Sequence, residues 1–232
     1  MNDFVLDKRL MSKAIEEAKR GIPYVYPNPA VGCVIYDGSK ILSTGYHKKF
    51  GEDHAEFEAI KNLGKVSKKL TMYVSLEPCT HIGKTGACLD LIDPEVFDRV
   101  VIAEEDPNKA ASGSIDKLKR SGIKVDVGLL KHEARELNKR FYVYYEKKRP
   151  YVILKYASTL DGFIAQDNGQ SKWITNEKSR KENHYTRSTC DAILIGSNTA
   201  RLDNPDLGSH GFEKDPQICL LYTSDAADEW RS

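Results

Sequence analysis

Neither sign of charge prevails in this 232-residue chain: 35 Lys and Arg stand against 34 Asp and Glu, a formal net charge of +1. That balance leaves no broad electrostatic footprint for nucleic acid or membrane, although a local basic pocket can still hold one small phosphate. No apolar run is long enough to span a bilayer. The opening Met1-Asn2-Asp3-Phe4-Val5-Leu6-Asp7-Lys8 lacks the basic start and apolar stretch of an export signal. There is no internal repeat and no low-complexity tract. Cysteines are few and odd in number, five. Without an export signal the expected compartment is the reducing cytoplasm, where paired cysteines more often bind metal or do chemistry than form disulfides.

The composition, 40% hydrophobic and 30% charged, is that of a soluble globular protein with one large domain or two small ones. Leu6, Leu10, Met11, Ala14, Ile15 and Ala18 recur at helical spacing and predict a helix over 6–20, stopped by Gly21 and Pro23. Residues 31–36 read as an apolar strand, Asp37-Gly38 as a hairpin turn, and 40–46 as the returning strand. Helices are then predicted over 54–63, 86–92, 109–121 and 130–145, and strands over 70–76, 99–103 and 123–127. This alternation predicts a layered α/β domain, with a mixed sheet because of the hairpin. Lys147-Lys148-Arg149-Pro150 is a charged, proline-closed boundary, after which Tyr151-Val152-Ile153-Leu154-Lys155 reads as a new strand.

Three segments carry chemistry: His54-Ala55-Glu56, Pro78-Cys79, and Cys88 nine residues later. One imidazole and two thiolates suit zinc, and three protein ligands leave a fourth tetrahedral position for water. Zinc lowers the pKa of that water to about 7. Residues two apart in a helix do not share a face, so His54 and Glu56 serve one site only where the helix begins. Glu56 is then the proton carrier rather than a ligand. A structural zinc site is the alternative, closed by His47 or His81, and it leaves Glu56 idle. Cys33, inside its strand, reads as a core residue. The order of these segments matches the zinc nucleobase deaminase signature, with a longer gap between the cysteines than Cys-x-x-Cys.

Pro27-Asn28-Pro29-Ala30-Val31-Gly32-Cys33-Val34, Gly45-Tyr46-His47 and Leu76-Glu77-Pro78-Cys79-Thr80-His81 through Gly83-Lys84-Thr85-Gly86-Ala87-Cys88 resemble the bifunctional riboflavin-biosynthesis deaminase/reductase family. Its long inter-cysteine loop is typical, although here Gly86-Ala87 stand where the family usually has prolines. Asp106-Pro107-Asn108 and Leu137-Asn138-Lys139-Arg140-Phe141 add to the likeness. The resemblance implies a cytidine-deaminase-like three-layer α/β/α domain over 1–146. It implies hydrolytic loss of the 2-amino group of a diamino-ribosylamino-pyrimidinone 5′-phosphate, a small-molecule partner. Asn28 and His47 are implied to hold the ring, and His81 and Lys84 to face the ribose phosphate. Read from the residues alone, Asn28 is equally a turn residue and Lys84 a solvated charge. Another zinc deaminase (of cytidine, guanine or tRNA adenosine) and a non-catalytic zinc module are the competing readings.

Residues 150–217 resemble the start of the family's reductase domain, a partial dihydrofolate-reductase-like α/β fold. The resemblance implies NADPH contacts at Ala157, Trp173, Thr199 and Asp203, and substrate contacts at Ser171, Arg187 and Leu207. Without it, Trp173 reads as a core aromatic and Arg187 as a surface charge. The family's later strands are not found in the sequence, so we expect a fragment that does not itself bind NADPH. Residues 218–232 leave the family pattern and read as an artefactual tail. Full-length members are expected to be homo-oligomers.

Overall fold

The computed structural model describes residues 3–64, 66, 68–81, 86–212 and 214–221. The chain divides into two compact units, Met1–Val152 and Ile153–Ser232. In the first, helix α1 (Asp3–Lys19) precedes a hairpin of β1 (Gly32–Tyr36) and β2 (Ile41–Tyr46). Then follow α2 (Ala55–Ile60), β3 (Leu70–Val74), a 3-10 turn (Cys88–Leu91), β4 (Phe97–Ile102), α3 (Ser114–Arg120), β5 (Lys124–Val127), α4 (Lys131–Leu137) and α5 (Lys139–Lys147). The sheet order is β2-β1-β3-β4-β5. β1 pairs antiparallel with both β2 and β3, whereas β3, β4 and β5 are parallel, so the sheet is mixed.

Strand alternation sends neighbouring residues to opposite faces. Cys33 and Ile35 pack with Met72, Val74, Val100 and Ile102 against Ala55 and Ala59 of α2 and Leu118 of α3. Val34, Tyr73 and Val101 pack against Leu10, Met11, Ala14 and Ile15 of α1 and Ala134 of α4. Helices on both faces make three layers, and each large apolar side chain so buried contributes about 1.5–3 kcal/mol. Close approach depends on glycine. A β-carbon on Gly32 meets the Ala14 carbonyl oxygen at 2.0 Å, and one on Gly45 meets that of Ala55 at 2.3 Å. α1 and α2 therefore lie directly on the hairpin strands.

Three predicted helices of this unit change, the one over 86–92 being only the 3-10 turn Cys88–Leu91. The one over 109–121 begins only at Ser114, because Ala111 N and Ser112 N both donate to Asn108 O in a preceding loop. The one over 130–145 breaks at Asn138 (φ −109°, ψ 23°) into α4 and α5. The side chain of Asn138 is bonded instead to the backbone of Ala30, 108 residues away.

The second unit contains α6 (Glu177–Ser188), β6 (Ala192–Gly196), α7 (Ser197–Asp203) and β7 (Gln217–Leu221). β6 and β7 form a two-stranded parallel sheet. The expected strand over 151–155 is not one. Its residues are without regular structure and Leu154 is 84% exposed. A run of apolar residues makes a strand only beside a hydrogen-bonding neighbour, and the described strands of this unit pair only with each other. The tail expected from 218 begins inside β7, in register with β6. Residues 222–232 lie outside the described residues. No described helix is long and apolar enough to cross a membrane.

Candidate metal centre and its cavity

His54 ends an extended stretch as the N-cap of α2 (φ −77°, ψ 166°), and Glu56 lies in the first turn of that helix. This is the helix-start arrangement that lets two residues in an x-Ala-x pattern face one cavity. Cys79 follows β3, and Cys88 opens the 3-10 turn. The ligand atoms of His54, Cys79 and Cys88 all lie within 4.8 Å of one another. His54 Nδ1 is 3.1 Å from Cys88 Sγ and 3.6 Å from Cys79 Sγ. Bond lengths of about 2.0–2.3 Å around a tetrahedral zinc put nitrogen and sulfur about 3.6 Å apart, so spacing and donor set both fit that ion. No fourth His, Cys, Asp or Glu joins this group among the described residues.

The electrostatics agree with such a set. Hydrogen bonding from Cys88, then from His54, holds the Cys79 thiol well below its ordinary range, against the effect of burial. The same pairing with Cys79, then burial, pushes the Cys88 thiol up. The bond to Cys79 raises the pKa of His54. Burial pushes the Glu56 carboxyl up, at 3% exposure, while the neighbouring His54 charge pulls it down.

His54, Cys79 and Glu56 border a cavity of about 240 Å³, and Cys88 is not among its lining residues. Asn28 and His47 line it as well. His47 is 2% exposed, and its Nδ1 lies 3.0 Å from Asp53 O while Asn28 Nδ2 lies 3.2 Å from its Nε2. One tautomer satisfies both: Nδ1–H donates to the carbonyl, and Nε2 accepts from Asn28. Burial lowers the pKa of His47 and favours that neutral ring. With both nitrogens occupied, His47 is not a fourth metal ligand. His81 is exposed and lines the cavity, and Lys84 lies outside the described residues.

Sequence reasoning did not assign Glu77, Asp106, Asn108, Phe141 or Tyr145, which also line the cavity. The quoted motifs Leu76-Glu77-Pro78-Cys79, Asp106-Pro107-Asn108 and Asn138 to Phe141 were the signal. Glu77 Oε1 accepts from Gly113 N at 2.7 Å and Ser114 N at 2.8 Å, and Oε2 accepts from Asp106 N at 3.2 Å. It ties the end of β3 to the start of α3 and to the Asp106 loop. Burial, and then the Glu77 and Cys79 charges, push the Asp106 carboxyl up to about 6, against a hydrogen bond from Asn108 N.

In the second unit the implied site residues are mostly at the surface. Trp173 is 73% exposed, with the Arg180 guanidinium 4.4 Å over its ring. It is therefore not the core aromatic of the residue-only reading. Ser171, Thr199 and Asp203 are exposed, and Ala157 is half-buried. Arg187 is half-buried, and its Nη1 donates to the carbonyls of Asp206 (3.0 Å) and Gly208 (3.2 Å), which flank the buried Leu207. The structure thus brings Arg187 and Leu207 to one loop.

The model of the cytidine and deoxycytidylate deaminase zinc-binding region matches residues 5–104, and that of the RibD C-terminal domain matches 150–223. The riboflavin biosynthesis protein RibD of Aquifex aeolicus is 47% identical over 203 residues, 87% of this chain and 57% of that protein. The Escherichia coli RibD is 39% identical over 217 residues, 93% of this chain and 59% of that one. The chain belongs to the RibD family. The crystal structure of a diaminohydroxyphosphoribosylaminopyrimidine deaminase/5-amino-6-(5-phosphoribosylamino)uracil reductase from Thermotoga maritima superposes with a TM-score of 0.90 at 41% identity. It covers 95% of this chain and 64% of its own. Acinetobacter baumannii RibD gives 0.87 at 36% identity, covering 94% and 64%. The chain thus spans a little over half the length of the curated relatives it matches. Its fold is a cytidine-deaminase-like domain followed by dihydrofolate-reductase-like sequence. The matched zinc-binding region contains His54, Cys79 and Cys88, and the matched RibD C-terminal domain contains the residues implied for NADPH.

Proposed function

We propose that this chain deaminates 2,5-diamino-6-ribosylamino-4(3H)-pyrimidinone 5′-phosphate hydrolytically, as a step of riboflavin biosynthesis. Water adds its oxygen at C2, the 2-amino group leaves as ammonia, and the 5-amino-6-ribosylaminouracil phosphate remains. The single observation that carries the reading is the convergence of His54, Cys79 and Cys88 within 4.8 Å, beside a buried Glu56 in one cavity. His54, Cys79 and Cys88 would hold zinc, which supplies the Lewis acidity that makes water nucleophilic near neutral pH. The Glu56 carboxylate takes one proton from water and passes it to the ring nitrogen, then takes a second from the hydroxyl added at C2 and passes it to the departing amine. Its burial-raised pKa suits a group that must both accept and release each proton. Asn28 and His47, already bonded to each other, orient the ring. His81 lies on the cavity lining and would face the phosphoribosyl group with Lys84.

NADPH-dependent opening and reduction of the ribose is the matching proposal for the full-length family member. Ala157, Trp173, Thr199 and Asp203 would meet the cofactor, and Ser171, Arg187 and Leu207 the substrate. Ala157 is half-buried, and Trp173, Thr199 and Asp203 are exposed. A cytoplasmic homo-oligomer completes the proposal; a reducing compartment suits the five free cysteines. Metal analysis followed by assay of ammonia release tests the deaminase reading. About one zinc per chain and release from the diaminopyrimidinone phosphate are expected. A zinc-loaded, folded protein inert toward that substrate overturns the reading.

A further inference from the structure

Asn138 is buried at 3% exposure, between α4 and α5, with a backbone that continues neither helix. Its carboxamide spends both functions on one residue. Oδ1 accepts from Ala30 N at 2.8 Å, and Nδ2 donates to Ala30 O at 2.8 Å. Ala30 is fully buried and lies outside any regular element, just before β1, so these bonds satisfy backbone groups that no sheet ladder serves. Two residues back, Asn28 reaches His47 across the cavity. On the other side of Asn138, Phe141 and Tyr145 of α5 line the same cavity, with ring centroids 4.8 Å apart. The helix break and the loop geometry therefore share one cause.

We infer that Asn138 is a positioning residue, a two-point clamp that fixes the Asn28 segment and the aromatic face of α5 as opposite parts of one binding cavity. The consequence for substrate binding rests on the reading of that cavity as the deaminase site. The Asn138 side chain is bonded to Ala30, away from His54 and Glu56 at the start of α2 and from Cys79 and Cys88 on the segments after β3. Loosening the clamp should weaken binding more than it slows the bound complex.

The test uses the full zinc-loaded chain and compares Asn138→Ala, Asn138→Asp and wild type. For Asn138→Ala, KM for the diaminopyrimidinone phosphate is expected to rise about tenfold while kcat falls less than about threefold. Amide exchange at Ala30 and Val31 is expected to accelerate about tenfold or more. Asn138→Asp nearly preserves volume and keeps the acceptor for Ala30 N. Its ionised second oxygen repels Ala30 O, and its protonated form donates to it. KM of this variant is therefore expected to fall toward wild type on acidification from about pH 8 to about pH 6, since burial raises a carboxyl pKa. Asn138→Ala should show no such recovery. Unchanged exchange at Ala30 overturns the clamp. Faster exchange with unchanged KM, or KM and kcat falling together without acid recovery, overturns the positioning role. If wild type itself releases no ammonia, the deaminase reading fails, and the exchange data still decide the clamp.

Discussion

Gly45 on β2 and Ala55 at the start of α2 lie so close that a β-carbon on Gly45 falls 2.3 Å from the Ala55 carbonyl oxygen. It falls 2.4 Å from Ala59 N as well. Every atom in the way is backbone, so nothing can rotate aside. α2 carries His54 at its cap and Glu56 in its first turn. Gly45→Ala must therefore push the helix off the sheet and move both groups. We expect a loss of stability of about 1–3 kcal/mol together with reduced zinc content. Thermal unfolding and metal analysis measure the two effects, and a variant that keeps full zinc and wild-type Tm refutes this account of α2.

Glu56→Gln keeps the size of the side chain and removes its ability to carry a proton. Zinc content should persist while ammonia release falls by about 10²–10⁴-fold. If the variant retains most of the wild-type rate, Glu56 is not the proton carrier.

Zinc removal has its own signature. Of the five cysteines, Cys79 and Cys88 are the pair that meets His54. Alkylation mapped by mass spectrometry should find both protected in the zinc-loaded protein and modified after chelation. Cys33, fully buried, with a thiol pKa pushed up by burial and then by the Glu56 charge, should stay unreactive in both. Equal labelling of Cys79 before and after chelation contradicts the ligand assignment.

Acid stability should depend on Asp7. Its carboxylate accepts from Arg99 Nη1 at 2.9 Å and Nη2 at 2.7 Å, and from Tyr73 Oη at 2.5 Å. Those bonds, Arg99 first, lower its pKa in the folded protein against the effect of burial. A carboxyl depressed on folding stabilises the protein above its unfolded pKa of about 3.9, and that contribution is lost as pH falls through the folded value. The stability gap between wild type and Asp7→Asn should therefore be constant above about pH 5 and shrink below about pH 4. Denaturant titrations across that range measure it, and a gap independent of pH argues against the linkage.

In the second unit, Asn176 caps α6 by accepting from Ser179 N at 2.9 Å. Asn176→Ala should weaken the helix by about 0.5–2 kcal/mol. Faster amide exchange confined to the first turn of α6 is the expected reading, and unchanged protection there is the contrary one.

Much of the first unit was legible because its causes are local. The Leu10, Met11, Ala14, Ile15 stripe requires α1, and Asp37-Gly38 requires the hairpin, with Gly38 at φ 89°. The ligand set was legible because His, Glu and Cys occur there in an order that few other chemistries use. The misread pieces have distant causes. No pattern near Asn138 announces Ala30, 108 residues away, as its partner. The delayed start of α3 depends on Glu77, which lies beyond the end of β3 and accepts from Gly113 N and Ser114 N. Val152, Ile153 and Leu154 form a continuous apolar run like that of a buried strand, but such a run does not say whether a hydrogen-bonding neighbour is present. The remaining cavity lining, Asp106, Asn108 and Tyr145, becomes visible only when three separated segments are brought together.

The two thiol-bearing segments are stitched to each other by backbone as well as by side chain. Cys88 N donates to Cys79 Sγ at 3.4 Å, and Leu89 N donates to Cys79 O at 3.1 Å. A peptide stretch anchored at both feet in this way can be exchanged for one of another length at small entropic penalty, since closure grows only with the logarithm of length. Removing the Cys79 sulfur should unfasten the backbone at residue 88 as well as the candidate metal site.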